Sequence, residues 1–255
     1  MFDSGIGGIS VFREIKRQLP DVSIDYLFDN LHYPYGRLGE SQLIARLVEL
    51  IDSAVLRYKP QLLVIACNSA STIALPALRK HLSIPVVGVV PAIKPAALLS
   101  KTKVIGLLAT QGTINRDYVV QLADSYAPDC SVIKVGTNEL VAMAEQVFRG
   151  HSIDLNLLAD VCQPLINKVD TIVLGCTHFP LLREHIASIM PQQVSLIDSG
   201  SAIANRVSAL IDQKKPDNVI RYRALYTKSF QDQPLIDALM NEGISELINI
   251  THQLG

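Results

Sequence analysis

Neither sign of charge is in excess: 23 lysines and arginines face 24 aspartates and glutamates, for a net charge of −1. The basic residues are scattered, so the chain shows no electrostatic footprint for nucleic acid. A cluster such as Arg13-Glu14-Ile15-Lys16-Arg17 reads as a solvated helix face. Long hydrophobic runs are also missing. Lys94 and several prolines interrupt the longest candidate, which falls short of a membrane span. The opening residues, Met1-Phe2-Asp3-Ser4-Gly5, show no basic segment or apolar signal core. Cysteine is scarce. Four residues, at 67, 130, 162 and 176, lack the spacing of a small disulfide scaffold. Together these absences read as a cytoplasmic protein with free thiols and no nucleic-acid or membrane partner.

What is present is apolar core and α/β pattern. Hydrophobic residues make up 49% of 255 positions, enough for one large domain or two small α/β lobes. Two cysteines share nearly the same local sentence: Leu63-Val64-Ile65-Ala66-Cys67-Asn68-Ser69 and Ile172-Val173-Leu174-Gly175-Cys176-Thr177-His178. Each follows a short aliphatic run of buried-strand type and precedes a helical pattern. Each thiol is expected at the carboxyl end of a strand, where open α/β sheets place ligands. Helix-terminal N–H groups there favour a thiolate. A second echo pairs Phe2-Asp3-Ser4-Gly5 with Ile197-Asp198-Ser199-Gly200 and points to two related halves.

Strands and helices alternate along the chain, which predicts a parallel sheet in each lobe. Strands are expected at 24–28, 62–66, 86–90, 103–109, 132–135, 171–174 and 194–197. Helices are expected at 43–55, 72–81, 139–148 and 153–169. Lys214-Lys215-Pro216-Asp217 reads as a surface turn, and the tail from Val219 carries further strand and helix. The predicted architecture is two similar lobes, 1–91 with 203–255 and then 92–202, each a mainly parallel sheet flanked by helices. The active site is expected in the cleft between them. Asp3 follows only two apolar residues, whereas a strand usually needs about five or six. The expectation is that the native chain starts several residues before Met1.

A lone buried cysteine is most often a small hydrophobe. Cys130 and Cys162 lack polar context and fit that reading. Cys67 and Cys176 do not, because Asn68-Ser69 and Thr177-His178 follow them directly. A thiol acting as a base gains from such donors, since its reference pKa is about 8.5. A metal site at Cys176-Thr177-His178 lacks the spacing of a zinc site. A Cys67–Cys176 disulfide is disfavoured in a reducing compartment. Gly5-Ile6-Gly7-Gly8 matches neither the dinucleotide fingerprint nor the P-loop. It reads as a strand-to-helix turn or as a backbone cradle for a carboxylate. Pro34-Tyr35-Gly36 reads as a turn that aims backbone amides. Asp29 and Glu145, taken singly, read as ordinary surface charge.

The set Phe2-Asp3-Ser4-Gly5-Ile6-Gly7-Gly8, Pro34-Tyr35-Gly36, Ala66-Cys67-Asn68-Ser69-Ala70-Ser71, Gly175-Cys176-Thr177-His178-Phe179-Pro180-Leu181-Leu182 and Ile197-Asp198-Ser199-Gly200 resembles the glutamate racemases of the aspartate/glutamate racemase superfamily. The likeness runs from residue 2 to about residue 230, and the paired cysteine motifs are its specific part. It implies a cofactor-independent isomerase that makes D-glutamate for peptidoglycan, with glutamate as its small-molecule partner and a homodimer left open. By motif, Cys67 and Cys176 match the two catalytic thiols, Asp3 a thiol partner and His178 an auxiliary group. Asp3, Ser4, Tyr35, Gly36, Asn68, Ser69, Thr177 and His178 match substrate-binding positions. Thr110 and Thr113, in the loop after the 103–109 strand, are added as substrate contacts. Asp29 and Glu145 match family acids, but His32 stands where the family often has arginine. A sister racemase acting on aspartate or another small amino acid is the alternative. A non-catalytic amino-acid-binding protein would not need two thiols.

Overall fold

The computed structural model describes residues 1–35, 39–211 and 219–251. The expected turn at 214–217 therefore lies outside the described residues. By internal contacts the chain divides into two units, Met1–Val89 with Gly200–Gly255, and Val90–Ser199. The first unit opens with β1 (Phe2–Asp3), a 3-10 turn (Ile6–Gly8), α1 (Ile9–Gln18), β2 (Ile24–Phe28), α2 (Glu40–Tyr58), β3 (Leu63–Ile65), α3 (Asn68–His81) and β4 (Val86–Gly88). The second holds α4 (Ile93–Leu99), β5 (Val104–Ala109), α5 (Gln111–Ile114), α6 (Asp117–Tyr126), β6 (Ser131–Gly136), α7 (Glu139–Phe148), α8 (Leu155–Cys162), β7 (Thr171–Leu174), α9 (Arg183–Ile189) and β8 (Ser195–Ile197). The chain then returns to the first unit with α10 (Gly200–Leu210), β9 (Tyr222–Tyr226), α11 (Gln233–Asn241) and β10 (Glu246–Asn249).

The strand pairs are parallel in both sheets. One sheet runs β10-β9-β2-β1-β3-β4 and the other β6-β5-β7-β8. This is the α/β class expected from the alternation. The inner order β2-β1-β3-β4 repeats as β6-β5-β7-β8, so the two units are built alike. In each, the first and third strands are neighbours where the winding reverses. Such a switch point leaves a crevice beyond the carboxyl ends of those strands. Cys67 follows β3 and Cys176 follows β7, so the two cysteines stand at equivalent places.

The Asp-Ser-Gly echo is not structural. Asp3 ends β1, an inner strand, whereas Asp198 follows β8, an edge strand. The counterpart of β1 is β5, which leads into Thr110. A three-residue turn sequence suits many strand-to-helix junctions, and that is all the two copies share.

Core packing explains the helix faces. Leu43, Leu47, Leu50 and Ile51 of α2 are buried on one face, at the four- and three-residue spacing of a helix. They join Phe2, Tyr35, Leu63, Ile65, Cys67 and Ala70 in one cluster. Each large side chain so buried contributes about 1.5–3 kcal/mol. The helix ends at Lys59 in the left-handed region, φ 46°, just before Pro60. The helix expected over 153–169 is shorter. α8 stops at Cys162, Pro164 then lacks an amide, and Asn167 has a φ of 58°. α3 is longer than expected and starts directly after Cys67.

Candidate active site

In the first unit Asp3 is buried at the end of β1. Its Oδ1 accepts from the Gly5 amide at 3.1 Å and from Ser4 Oγ at 3.4 Å. Ser4 Oγ lies 3.8 Å from Cys67 Sγ. The glycine run that follows is a buried 3-10 turn. The Gly5 amide is thus turned inward to Asp3, which takes it out of the expected cradle. Tyr26 Oη donates to the Gly5 carbonyl and holds the turn from below. Gly8 is required by closeness: a Cβ there would lie 2.9 Å from Tyr26 Cε2 and 3.0 Å from Asp3 Cβ.

Cys67 is the N-cap residue of α3, with extended backbone at φ −66° and ψ 118°. Ser71 locks this junction, its Oγ donating to the Ile65 carbonyl at 2.9 Å and accepting from the Val89 amide at 3.1 Å. The thiol therefore sits at the N-terminus of a helix fourteen residues long, where the dipole favours negative charge. Asn68 and Ser69 occupy the first turn and are buried. The Asn68 amide nitrogen, in a residue only 4% exposed, reaches no hydrogen-bond partner among the described residues. A buried unpartnered donor is costly unless a ligand meets it.

Asp29 is not surface charge. It is fully buried and receives Arg46 Nε at 2.9 Å, Arg46 Nη2 at 3.1 Å, Tyr35 Oη at 2.7 Å and Thr227 Oγ1 at 2.5 Å. Burial works against its ionisation, but Arg46, Thr227 and Tyr35 outweigh it and hold the carboxyl below its usual range. Tyr35 is buried with its hydroxyl committed to Asp29, so only its backbone is free to meet a ligand. Gly36 lies outside the described residues.

In the second unit Thr110 caps α5. Its Oγ1 is 2.9 Å from Thr113 Oγ1 and accepts the Thr113 amide at 3.3 Å. Both threonines are buried. Cys176, Thr177 and His178 follow β7 and lead into a 3-10 turn, Phe179–Leu182, that runs directly into α9. His178 Nδ1 is 3.9 Å from Cys176 Sγ, and His178 Nε2 is 3.0 Å from Glu145 Oε1. Arg149 Nη1 donates to Glu145 Oε2 at 2.5 Å. Burial disfavours the imidazolium, but Cys176 and Glu145 outweigh it and raise His178 from its usual value to about 10. Burial likewise opposes charge on Glu145, yet His178 and Arg149 hold its carboxyl below the usual range. Glu145 is therefore part of a chain from Arg149 to Cys176 and not a solvated acid.

All four cysteines are free thiols. Burial pushes Cys162 up to about 11, as suits an inert side chain. No group of three or more metal-ligating side chains occurs among the described residues. Sequence reasoning missed Arg46, Thr227, Arg149 and Tyr26. Arg46 lies on α2 and Arg149 caps the end of α7, and their patterns show only that they are polar. Thr227 reaches Asp29 across 198 positions, and no local signal marks it.

A family model described as Asp/Glu/Hydantoin racemase matches residues 7–207. The chain belongs to this family. It is an amino-acid racemase. Curated relatives include the glutamate racemase of Shewanella sp. (strain ANA-3), 48% identical over 98% of this chain and 96% of that protein. That of Shewanella halifaxensis (strain HAW-EB4) is 49% identical over 97% and 94%. Among solved structures, this racemase resembles Escherichia coli glutamate racemase in complex with L-glutamate and the activator UDP-MurNAc-Ala. The TM-score is 0.92, with 40% identity, over 97% of this chain and 96% of that one. Glutamate racemase isoform RacE1 from Bacillus anthracis gives 0.83 and 30%, over 98% and 96%. No helix of this racemase is long and apolar enough to cross a membrane among the described residues.

Proposed function

We propose that this racemase interconverts L- and D-glutamate by direct proton transfer between the α-carbon and two thiols, and so supplies D-glutamate for bacterial peptidoglycan in the cytoplasm. The observation that carries the reading is the repeated placement of a buried cysteine after the third strand of each unit, beside polar groups a core cysteine does not need. The glutamate racemases it resembles support the choice of substrate. One cysteine as thiolate takes the α-proton from one face, and the C–H electron pair stays on carbon. The other, as thiol, gives its proton to the opposite face. The product leaves the two thiols with their protonation states exchanged. Matched acid/base groups suit a reaction whose product mirrors its substrate.

Each side has its helper. On the first, Asp3 and Ser4 form a chain to Cys67. On the second, Glu145 and His178 form a chain to Cys176. Cys67 acts on D-glutamate and Cys176 on L-glutamate. Asn68, Ser69, Thr110, Thr113, Thr177 and the backbone at Tyr35 and Gly36 hold the substrate. The unpartnered Asn68 amide fits a carboxylate oxygen. Buried hydroxyls and amides stabilise the carbanion and keep water away.

The test uses dialysed, chelator-treated protein with each enantiomer in deuterated water, followed by circular dichroism and proton NMR. Glutamate should racemise with deuterium at the α-position of the product. Activity that disappears on dialysis and returns with an added cofactor would sink the proposal. Racemisation of aspartate but not glutamate would select the sister reading.

His178→Asn should slow L-to-D turnover at saturating substrate by about tenfold to a hundredfold, and the reverse direction much less. KM must shift to compensate, because the equilibrium constant stays at unity. The partners that raise His178 keep it protonated well above neutrality. The bias should therefore persist from about pH 6 to about pH 9 and not fade near its ordinary pKa. Equal losses in both directions would leave His178 as a binding residue.

A further inference from the structure

His32 lies three residues after Asp29. Its Nδ1 is 3.3 Å from Asp29 Oδ2 yet makes no hydrogen bond among the described residues. The strong cation comes from elsewhere. Arg46, on the second turn of α2, meets both oxygens of Asp29 through Nε and Nη2. This is the planar two-point pairing that guanidinium makes and ammonium does not. The Asp29 amide in turn donates to the Asp3 carbonyl at 3.1 Å. Asp29 thus links three things: the end of β1 that carries Asp3, the phenol of Tyr35, and Arg46. The Tyr35 ring packs on Phe2 at 5.9 Å and shares a core cluster with Cys67.

We propose that Arg46 is a positioning residue for the substrate: through Asp29 it fixes Tyr35, and so fixes the backbone at Pro34 and Tyr35 that the proposed function assigns to the substrate. Two further features support this. Among the described residues, the Tyr35 hydroxyl is oriented by its hydrogen bond to Asp29. Burial and then Asp29 chiefly push the phenol's pKa up, and the charge of a Cys67 thiolate adds to the rise, so the ring is part of the thiol's surroundings. If Arg46 only stabilised the fold, its loss would lower the melting temperature and leave substrate affinity alone.

The inference rests on the proposed glutamate racemisation, and the experiment separates the two. Arg46→Met, Arg46→Lys and Tyr35→Phe are compared with the wild type for KM and kcat in both directions and for melting temperature. Arg46→Met should raise KM for both enantiomers on the order of tenfold, the effect of one charge-assisted hydrogen bond, with a smaller change in kcat. Arg46→Lys should recover part of that loss. Tyr35→Phe keeps the ring and the Asp29–Arg46 pair, so it should still fold, and it should raise KM as well. KM within about twofold of wild type for Tyr35→Phe would overturn the proposal, whatever happens to stability and whether or not Arg46→Met folds. Wild-type protein that fails to racemise glutamate would instead sink the functional reading.

Discussion

Cys67→Ala should stop racemisation while leaving half of the chemistry intact. Interconversion should fall by about a thousandfold or more, since a positioned acid or base contributes 10²–10⁴-fold and inversion requires both. The remaining thiolate at Cys176 can still remove the α-proton of L-glutamate and return a deuteron to the same face. L-Glutamate in deuterated water should therefore gain α-deuterium without becoming D. Cys176→Ala should show the mirror result, with exchange into D-glutamate only. Proton NMR follows the exchange and circular dichroism the configuration. Exchange with the opposite pairing would reverse the assignment of faces. Undiminished racemisation by either variant would refute the two-thiol reaction.

Gly175→Ala should damage activity far more than stability. The Gly175 amide donates to the Leu108 carbonyl at 2.6 Å, which ties the end of β7 to β5. A Cβ on Gly175 would fall 2.9 Å from that same carbonyl oxygen and 2.8 Å from Leu107 Cδ1. Backbone cannot yield as a side-chain tip can, so the segment must lift. Cys176 is the next residue and moves with it. Overpacking of this kind costs about 1–3 kcal/mol, or about 2–4 °C of melting temperature per kcal/mol at this chain length. Displacing a reacting group by about 1 Å costs on the order of a hundredfold in turnover. Gly39→Ala is the control, because a Cβ there meets nothing within 4 Å. Wild-type kcat in Gly175→Ala would show that the cysteine loop absorbs the methyl group.

The sequence showed most where physics is local. The aliphatic runs before Cys67 and Cys176 had to be buried strands, and the residues following them were too polar for core. The repeated order of the two sheets makes those runs equivalent. Local reading failed where a residue's meaning lies far along the chain. Asp29 looked like a surface acid because its partners sit on α2 and just after β9. Glu145 looked the same because His178 is 33 positions away. The Asp-Ser-Gly echo pointed to two related halves, which the sheets do show, but its copies are not equivalent: a turn motif is so local that it carries no information about which strand it ends. The helix expected beyond Cys162 failed on Pro164 and the left-handed Asn167, where apolar spacing persists but the backbone cannot continue.

The first unit is assembled from both ends of the chain, whereas the second is one continuous stretch. A chain emerging from the ribosome therefore presents every residue of the β6-β5-β7-β8 sheet while the larger sheet still lacks β9 and β10. Until then β2 carries an open edge, which β9 later closes along five register pairs from Ile24 to Phe28. Thr227 arrives with that closure, so the buried carboxylate of Asp29 gains its last donor only then. Domains generally form as units in the order they are made. On that rule the half that carries Cys176 has all its strands available before the half that carries Cys67 does.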